Sequence, residues 1–112
     1  MNGLPDLTSR VFLIISGRIA ATKRKEFEQT YRLISGIKTR DCLLYNLSKD
    51  ISNEGLYQFF SLWPDEMAMI RFMNSDEYQM MNGAFHALGS AEQLLTGTVT
   101  ATRDLFMDIE KN

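Results

Sequence analysis

The sequence predicts a ferredoxin-like α+β fold, with helices packed on a four-stranded antiparallel sheet in the order βαββαβ. Three observations predict it. Four runs of residues rich in β-branched and aromatic side chains recur along the chain. Helical stripes lie between the first and second runs and between the third and fourth. Only a polar turn separates the second run from the third, as in a hairpin. The 112 residues are enough for one core, so we expect a single domain over 1–112, with its core at about 10–103 and a tail over 104–112.

Residues 10–20 are expected to form the first strand, because the run 11–15, VFLII, is rich in β-branched and aromatic side chains. A helix should follow to about residue 35, with Thr22 as its N-cap and Gly36 as its stop. Its apolar residues recur at spacings of four and three on one stripe: Phe27, Tyr31 and Ile34.

The hairpin is predicted from residues 42–48 and 56–63, which are strand-like and flank the polar segment 49–55. In the third strand both alternating sets of side chains include large apolar residues. One set is Tyr57, Phe59, Ser61 and Trp63, and the other is Leu56, Gln58, Phe60 and Leu62.

Two helices and a last strand complete the pattern. Pro64 and the two acidic residues after it predict a helix over 64–73, with the proline in the first helical position. Ser75 should cap a second helix, which Gly89 should end. Residues 94–103 are predicted as the fourth strand, with threonine at alternate positions.

Composition excludes several classes of protein. The chain has 12 basic and 14 acidic residues, so neither nucleic acid nor an anionic membrane is an expected partner. Cys42 is the only cysteine and His86 the only histidine, which excludes an internal disulfide framework and a zinc site of those residues. The apolar run 11–15 is too short to span a bilayer and lacks the flanks of a secretory signal. We therefore expect a cytoplasmic protein.

The first and third strands are apolar on both sides, although the helices can cover only one face of the sheet. An apolar face of this size is rarely left exposed in a soluble monomer. The sequence therefore predicts a homodimer that packs through the sheets, with an interface of roughly 800 Å² per partner.

Several short strings then become recognisable together. They are Gly17 to Ile19, Cys42 to Tyr45, the aromatic strand ending at Trp63, the acidic helix start that follows, and the pairs Gly83-Ala84 and Leu88-Gly89. Over about residues 10–103 the sequence resembles the antibiotic biosynthesis monooxygenase family, which includes quinol monooxygenase-like proteins.

This resemblance implies a dimeric α+β barrel, in which two sheets face each other and each protomer has a pocket between sheet and helices. It also implies a monooxygenase that uses no metal, flavin or haem. The substrate would be a quinol or an aromatic polyketide-like molecule, which reduces oxygen itself once it is deprotonated. The protein then needs only to bind and orient the substrate and to exclude water.

Of the family's site residues only Trp63 has a counterpart in this chain, and the chemistry of other side chains adds further candidates. Trp63 could donate its indole N–H to a substrate carbonyl or stack on its ring, Arg18 could stabilise a developing anion, and Tyr45 could move protons. The expected substrate-binding wall consists of Tyr57, Phe59, Met67 and Ile15. Each candidate also has a structural interpretation, as a core aromatic, a strand-end ion pair or a half-buried strand tyrosine.

Departures from the family pattern favour an alternative. Catalytic members carry an asparagine four residues before the tryptophan, where this chain has Phe59. Haem-degrading members carry an asparagine at the position of Gly17 and a histidine in the helix after the tryptophan, and residues 71–73 offer none. The alternative is a non-catalytic dimer that binds a small apolar or aromatic ligand. A third interpretation is that Phe59 and the methionines of the two predicted helices after Trp63 fill the cavity completely, so that the dimer is only structural. His86 lies off the apolar stripe and is expected at the surface.

Overall fold

The computed structural model describes residues 10–35 and 41–100. Four strands, β1 (Val11–Ile19), β2 (Leu44–Lys49), β3 (Leu56–Trp63) and β4 (Gly89–Thr98), form one antiparallel sheet in the order β2-β3-β1-β4. The helices are α1 (Arg24–Ser35), α2 (Glu66–Met73) and α3 (Asp76–Leu88), and a 3₁₀ turn over Ala21–Lys23 precedes α1. The predicted ferredoxin-like fold is confirmed. The expected tail lies outside the described residues, and so does Gly36.

The core lies between the helices and the odd-numbered residues of β1 and β3. Phe27 of α1 is fully buried at its centre, with its ring edge-on to Tyr57 at 5.0 Å and to Phe85 at 4.8 Å. The buried strand residues are Val11, Leu13, Ile15, Ile19, Tyr57, Phe59, Ser61 and Trp63. Strand alternation therefore sends one complete row of each central strand into the core.

The opposite face of the sheet is also apolar. Phe12 and Phe60 stack on it with their ring centroids 6.4 Å apart, and Leu44 and Leu95 are 51% and 44% exposed at its two edges. Ile14 lies between them, with Phe60 and Leu95 as its cross-strand partners. The prediction that the central strands are apolar on both sides is thus confirmed.

The helix starts were predicted with mixed success. The Ser75 hydroxyl accepts a hydrogen bond from the Tyr78 amide at 3.2 Å, as expected of a cap. For α2 the cap is Asp65, whose Oδ1 accepts from the Ala68 amide at 2.9 Å, so the assignment of Pro64 to the first helical position was wrong. Thr22 was also wrong as a cap, because it lies inside the 3₁₀ turn that leads into α1.

The fourth strand begins five residues before its predicted start. Helix α3 ends at Leu88 as expected, but Gly89 has extended backbone angles and is the first residue of β4, paired with Ile19. A Cβ on Gly89 would collide with the carbonyl of Arg18, so the glycine permits direct passage from helix to sheet. The strand ends at Thr98, so the predicted end at residue 103 was also wrong.

Gly17 marks a bulge and a close approach between β1 and its neighbours. The register between β1 and β4 shifts at Ser16/Gly17, and a Cβ on Gly17 would collide with the carbonyl of Ser90 and come within 2.8 Å of the Phe85 ring. No larger side chain fits here without displacing the backbone of β4 and the Phe85 ring. In the described part of the chain, no helix has the length and apolarity needed to cross a membrane.

Candidate functional site

Trp63 lies in a closed aromatic cluster at the end of β3. The indole is 1% exposed, and its Nε1 donates a hydrogen bond to the Ser61 hydroxyl at 2.9 Å. That hydroxyl in turn donates to the carbonyl of Leu13 at 3.3 Å. Because the indole N–H and the serine hydroxyl satisfy each other, this buried polar pair contributes to the fold.

Phe72 of α2 occupies the space beside the indole. Its ring stacks on Trp63 with centroids 4.8 Å apart and also contacts Phe59 at 6.2 Å and Tyr78 at 5.7 Å. We call these four residues the Trp63 cluster. Its members are all buried, so a ligand could reach the indole only after α2 moved.

The structure disperses the other expected site residues. Arg18 lies on the face of the sheet opposite the helices, 46% exposed, and its Nε is 3.2 Å from Glu92. Met67 is 61% exposed on α2. Ile15 is buried as the cross-strand partner of Phe59. The fold therefore brings Ile15, Phe59 and Trp63 to one side of the sheet and leaves Arg18 on the other.

An open cleft lies farther along the same side of the sheet, between α1 and the β2–β3 hairpin. Its volume is about 240 Å³, and the lining residues are Glu28, Tyr31, Arg32, Leu47, Lys49 and Tyr57. We call it the α1–β2 cleft. A second hollow of about 450 Å³ shares Glu28, Lys49 and Tyr57 with it and extends to the β2–β3 turn.

Strand register and helix packing assemble this cleft. Lys49 and Tyr57 are cross-strand partners at the end of the hairpin, and Leu47 is the partner of Phe59. These side chains share the helix-facing side of the sheet. Helix α1 crosses them with Phe27 packed edge-on against Tyr57, and the next residue, Glu28, then reaches the tyrosine hydroxyl.

Glu28, Tyr57 and Lys49 form a charged hydrogen-bonded set. The Tyr57 hydroxyl donates to Glu28 Oε2 at 2.5 Å, and Lys49 Nζ is 3.7 Å from the same oxygen. The tyrosine hydrogen bond, together with the charges of Lys49 and Arg32, lowers the pKa of Glu28 despite an opposing effect of burial. Near neutral pH the carboxyl is therefore ionised. Both contacts use Oε2, and neither uses Oε1.

Tyr57 stays protonated near neutral pH because its surroundings raise its pKa. Burial raises its pKa to about 12, and the hydrogen bond to Glu28 and the charge of that carboxylate act in the same direction. Ionising this phenol would place two negative charges side by side in a poorly solvated place. Tyr57 is therefore a hydrogen-bond donor and not a base near neutral pH.

Arg24 closes the far end of the second hollow. Its Nη1 is 2.8 Å from Glu54 Oε1, and its Nε is buried without a hydrogen-bond partner among the described residues. Gly55 has φ +88°, and a Cβ there would lie 2.8 Å from Arg24 Nη2. The turn therefore favours glycine at this position because of its left-handed backbone angle.

Tyr31 joins the α1–β2 cleft to the Trp63 cluster. Its ring meets Phe59 edge-on at 6.2 Å, and its pKa is raised by burial and then by the neighbouring Tyr45 and Cys42. Tyr45 is on the helix-facing side of β2, opposite Ser61. Burial also raises the pKa of the Cys42 thiol, which keeps it protonated and poorly nucleophilic.

Sequence reasoning missed Glu28 and Lys49. Lys49 carried a usable signal, because it flanks the polar turn and a short hairpin places it opposite Tyr57. Glu28 carried only a weak one, as the polar neighbour of Phe27 at the margin of the apolar stripe. His86 is exposed as expected. Across residues 10–35 and 41–100, no three His, Cys, Asp or Glu side chains group as metal ligands would.

The chain belongs to the antibiotic biosynthesis monooxygenase family. The sequence profile of the family, described as "Antibiotic biosynthesis monooxygenase", matches residues 10–84, which include β1 through most of α3. No curated protein matches the chain in sequence.

Solved structures share the fold at low sequence identity. SnoaB from Streptomyces nogalater, a cofactor-independent oxygenase, is 18% identical, with a TM-score of 0.67 over 87% of this chain and 97% of its own. A conserved protein from Methanosarcina mazei is 13% identical, with a TM-score of 0.69 over 82% and 92%. One of unknown function from Bacteroides thetaiotaomicron is 15% identical, with a TM-score of 0.70 over 82% and 99%. At these identities the likeness concerns the fold alone.

Proposed function

We propose that the protein is a cofactor-independent monooxygenase of a quinol or aromatic polyketide-like molecule. Family membership gives the reaction class, and SnoaB shares the architecture. The observation that carries the proposal is the α1–β2 cleft, where aromatic and aliphatic walls surround an ionised carboxylate and two cationic side chains. Such a place suits an aromatic ring that bears a hydroxyl group.

The proposed reaction balances without a further reductant. The ionised quinol gives an electron to dioxygen, and the resulting radicals combine to form one carbon–oxygen bond. The peroxide anion takes up the proton that the quinol released, and its O–O bond and the C–H bond of the same ring carbon then break, so that water leaves and a carbonyl forms. The substrate thus supplies both electrons, one oxygen atom enters the product, and the other leaves as water. The protein has to hold the ring and shield it from bulk solvent.

A non-catalytic binding function is the second candidate, and the Trp63 cluster favours it. The indole N–H that would orient a substrate is bonded to Ser61, and Phe72 covers the ring. With Phe59 where catalytic relatives have an amide, the described part of this region offers packing and no free donor. Under this alternative the cleft would bind an aromatic ligand and release it unchanged.

Oxygen uptake with a panel of quinols tests the reaction. Wild-type protein without added metal or flavin should consume oxygen, and mass spectrometry after reaction under ¹⁸O₂ should find one labelled atom in the product. Trp63→Phe separates a role in turnover from a role in packing. We expect little change in KM in the oxygen assay and a lower free energy of unfolding in urea. Binding of quinols without any oxygen uptake would favour the non-catalytic alternative.

We also propose that a second copy of the chain covers the open sheet face. Phe12, Ile14, Phe60 and Leu62 are partly exposed there, and the α1–β2 cleft lies on the other side and stays open. A dimer built this way would bury the apolar rows of both sheets against each other, as in a sandwich.

Sedimentation equilibrium tests the dimer. Wild-type protein should sediment as a dimer at micromolar concentration, and Phe60→Lys should sediment as a monomer because it places a charge at the centre of the face. Met67→Lys, an equal change at an exposed helix position, is the matched control and should remain dimeric. A monomeric wild type would remove this part of the proposal.

A further inference from the structure

We propose that Glu28 is the anchor for a hydroxyl group of the substrate in the α1–β2 cleft, and that it holds this hydroxyl in its neutral form. The inference rests on the proposed function for the kind of ligand. It adds the binding site, the group that is recognised and the size of the ring system.

Among the described residues, the polar contacts of Glu28 leave one carboxylate oxygen for a ligand. Tyr57 and Lys49 both approach Oε2, and neither contact uses Oε1. The Glu28 side chain is 30% exposed and lines the cleft, so a ligand in the cleft can approach it. Ionised carboxylates form stronger hydrogen bonds than neutral acceptors do.

The contact with Tyr57 shows the effect of this carboxylate on the ionisation of a phenol. The tyrosine hydroxyl is itself a phenol donating to Glu28, and the contact helps to raise its pKa. A substrate hydroxyl donating to the same carboxylate experiences the same charge. It should keep its proton on binding, so the hydroxyl that ionises to start the reaction is the one at the other end of the ring.

The remaining walls fit the rest of such a molecule. Tyr31 and Leu47 lie on opposite sides of the cleft, one from α1 and one from β2, and present an aromatic and an aliphatic surface. Lys49 and Arg32 line the same space and offset the charge of Glu28. They lower the cost of an anion at the outer end of the ring.

The volume sets the size of the ring system. At about 240 Å³ the cleft is below the usual range of roughly 300–1,000 Å³ for ligand pockets. It suits a quinol of one or two rings, with any polar substituent directed into the hollow that begins at Lys49 and Tyr57. A four-ring polyketide would extend well beyond the described walls.

The test uses 4-nitrophenol, a phenol that oxygen does not attack and whose absorption band shifts when its hydroxyl ionises. Anaerobic titration of wild-type protein should show a saturable complex in which the dye ionises at higher pH than it does free in solution. Glu28→Gln should weaken binding by about 10- to 100-fold, the range for a hydrogen bond to a charged group. It should also bring the ionisation of the bound dye back toward the value in solution.

Two controls make the result specific. Glu26→Gln removes the same charge from an exposed position of the same helix and should bind the dye like wild type. 4-Nitroanisole, whose methoxy group cannot donate, should bind wild type no better than 4-nitrophenol binds Glu28→Gln. Urea unfolding of each variant identifies any loss that comes from the fold.

Failure of this inference can be told apart from failure of the proposed function. Equal binding by wild type and Glu28→Gln, no binding at all, or a dye that ionises more readily when bound would each overturn the role of Glu28, whatever the oxygen assay shows. Glu28-dependent binding without oxygen uptake with any quinol would support the anchor and overturn the monooxygenase. If quinols do turn over, Glu28→Gln should raise KM more than it lowers kcat.

Discussion

The two ends of β3 differ sharply, although the same face of the same strand supplies both. At one end Trp63 is packed by Phe72, and its polar atom is satisfied by Ser61. At the other end Tyr57 holds an ionised carboxylate beside an open cleft. The seven residues 57–63 of one strand thus connect a region that stabilises the fold with a region equipped to bind.

The difference shows why a motif residue and a functional site need not coincide. The resemblance to the family points to Trp63 as a site residue, yet in this chain Phe72 stacks on its indole and Phe59 packs against Phe72. A buried N–H without a hydrogen-bond partner destabilises the folded state. Here the Ser61 hydroxyl accepts the hydrogen bond, so the indole needs no ligand as its partner. Polar groups near open space occur instead where α1 passes over the hairpin. The following predictions test this division, starting with the largest effect.

Removing the Phe72 ring should destabilise the protein strongly. Phe72→Ala deletes a buried ring with three aromatic neighbours, and we expect a loss of about 3–5 kcal/mol in the free energy of unfolding, measured by urea denaturation. Affinity of the folded variant for 4-nitrophenol should stay within about twofold of wild type. A gain in affinity would instead mean that the vacated space beside Trp63 accepts ligand.

Breaking the buried Ser61–Trp63 hydrogen bond should have an intermediate effect. Ser61→Ala leaves the indole N–H buried without its partner, which should cost about 1–3 kcal/mol in the free energy of unfolding. In the background of Trp63→Phe the same serine substitution should cost clearly less. Additive losses in this double-mutant cycle would contradict an energetic role for the bond.

Removing the Tyr57 hydroxyl should have the smallest effect on stability and a recognisable pH dependence. Tyr57→Phe loses its hydrogen bond to Glu28, a partly exposed pair, and we expect a loss of about 1 kcal/mol near neutral pH. Urea unfolding across a range of pH measures it. Tyr31→Phe, which removes another hydroxyl from the same cleft, is the matched control.

The sign of that dependence follows from the two pKa shifts. Folding lowers the pKa of Glu28 from 4.5. Its contribution to the free energy of unfolding is therefore complete above pH 4.5 and is lost as the pH falls through the pKa of the folded state. The pKa of Tyr57 is raised from 10.0 to about 12, so its contribution is complete below 10.0 and is lost as the pH rises toward 12. Tyr57→Phe should flatten both ends of the profile. A profile unchanged from wild type would show that the pair contributes no stability.

Much of the fold was predictable because local rules specify it. Alternation divided the residues of β3 into an odd and an even set that lie on opposite faces, and the polar turn marked the hairpin. The errors occurred at boundaries that distant atoms decide. Gly89 begins a strand because the backbone of β1 lies directly beside it, and Thr22 loses its capping role to a 3₁₀ turn.

The candidate site was less predictable. Sequence reasoning named Tyr57 but not the carboxylate that it holds, because Glu28 is 29 residues away along the chain. It also grouped Arg18 with Trp63, which strand alternation places on opposite faces of the sheet. Pairing across such separations depends on how α1 crosses the sheet, and no local pattern specifies that angle.

The sequence by itself determined the βαββαβ order, the two apolar faces of the central strands and the resemblance to the family, because each depends on periodicity or on short strings of residues. The tertiary structure alone decided that Phe72 closes the space beside Trp63 and that Glu28 meets Tyr57 and Lys49 at an open cleft. Those contacts join residues from separate elements, and only the packed fold fixes their distances.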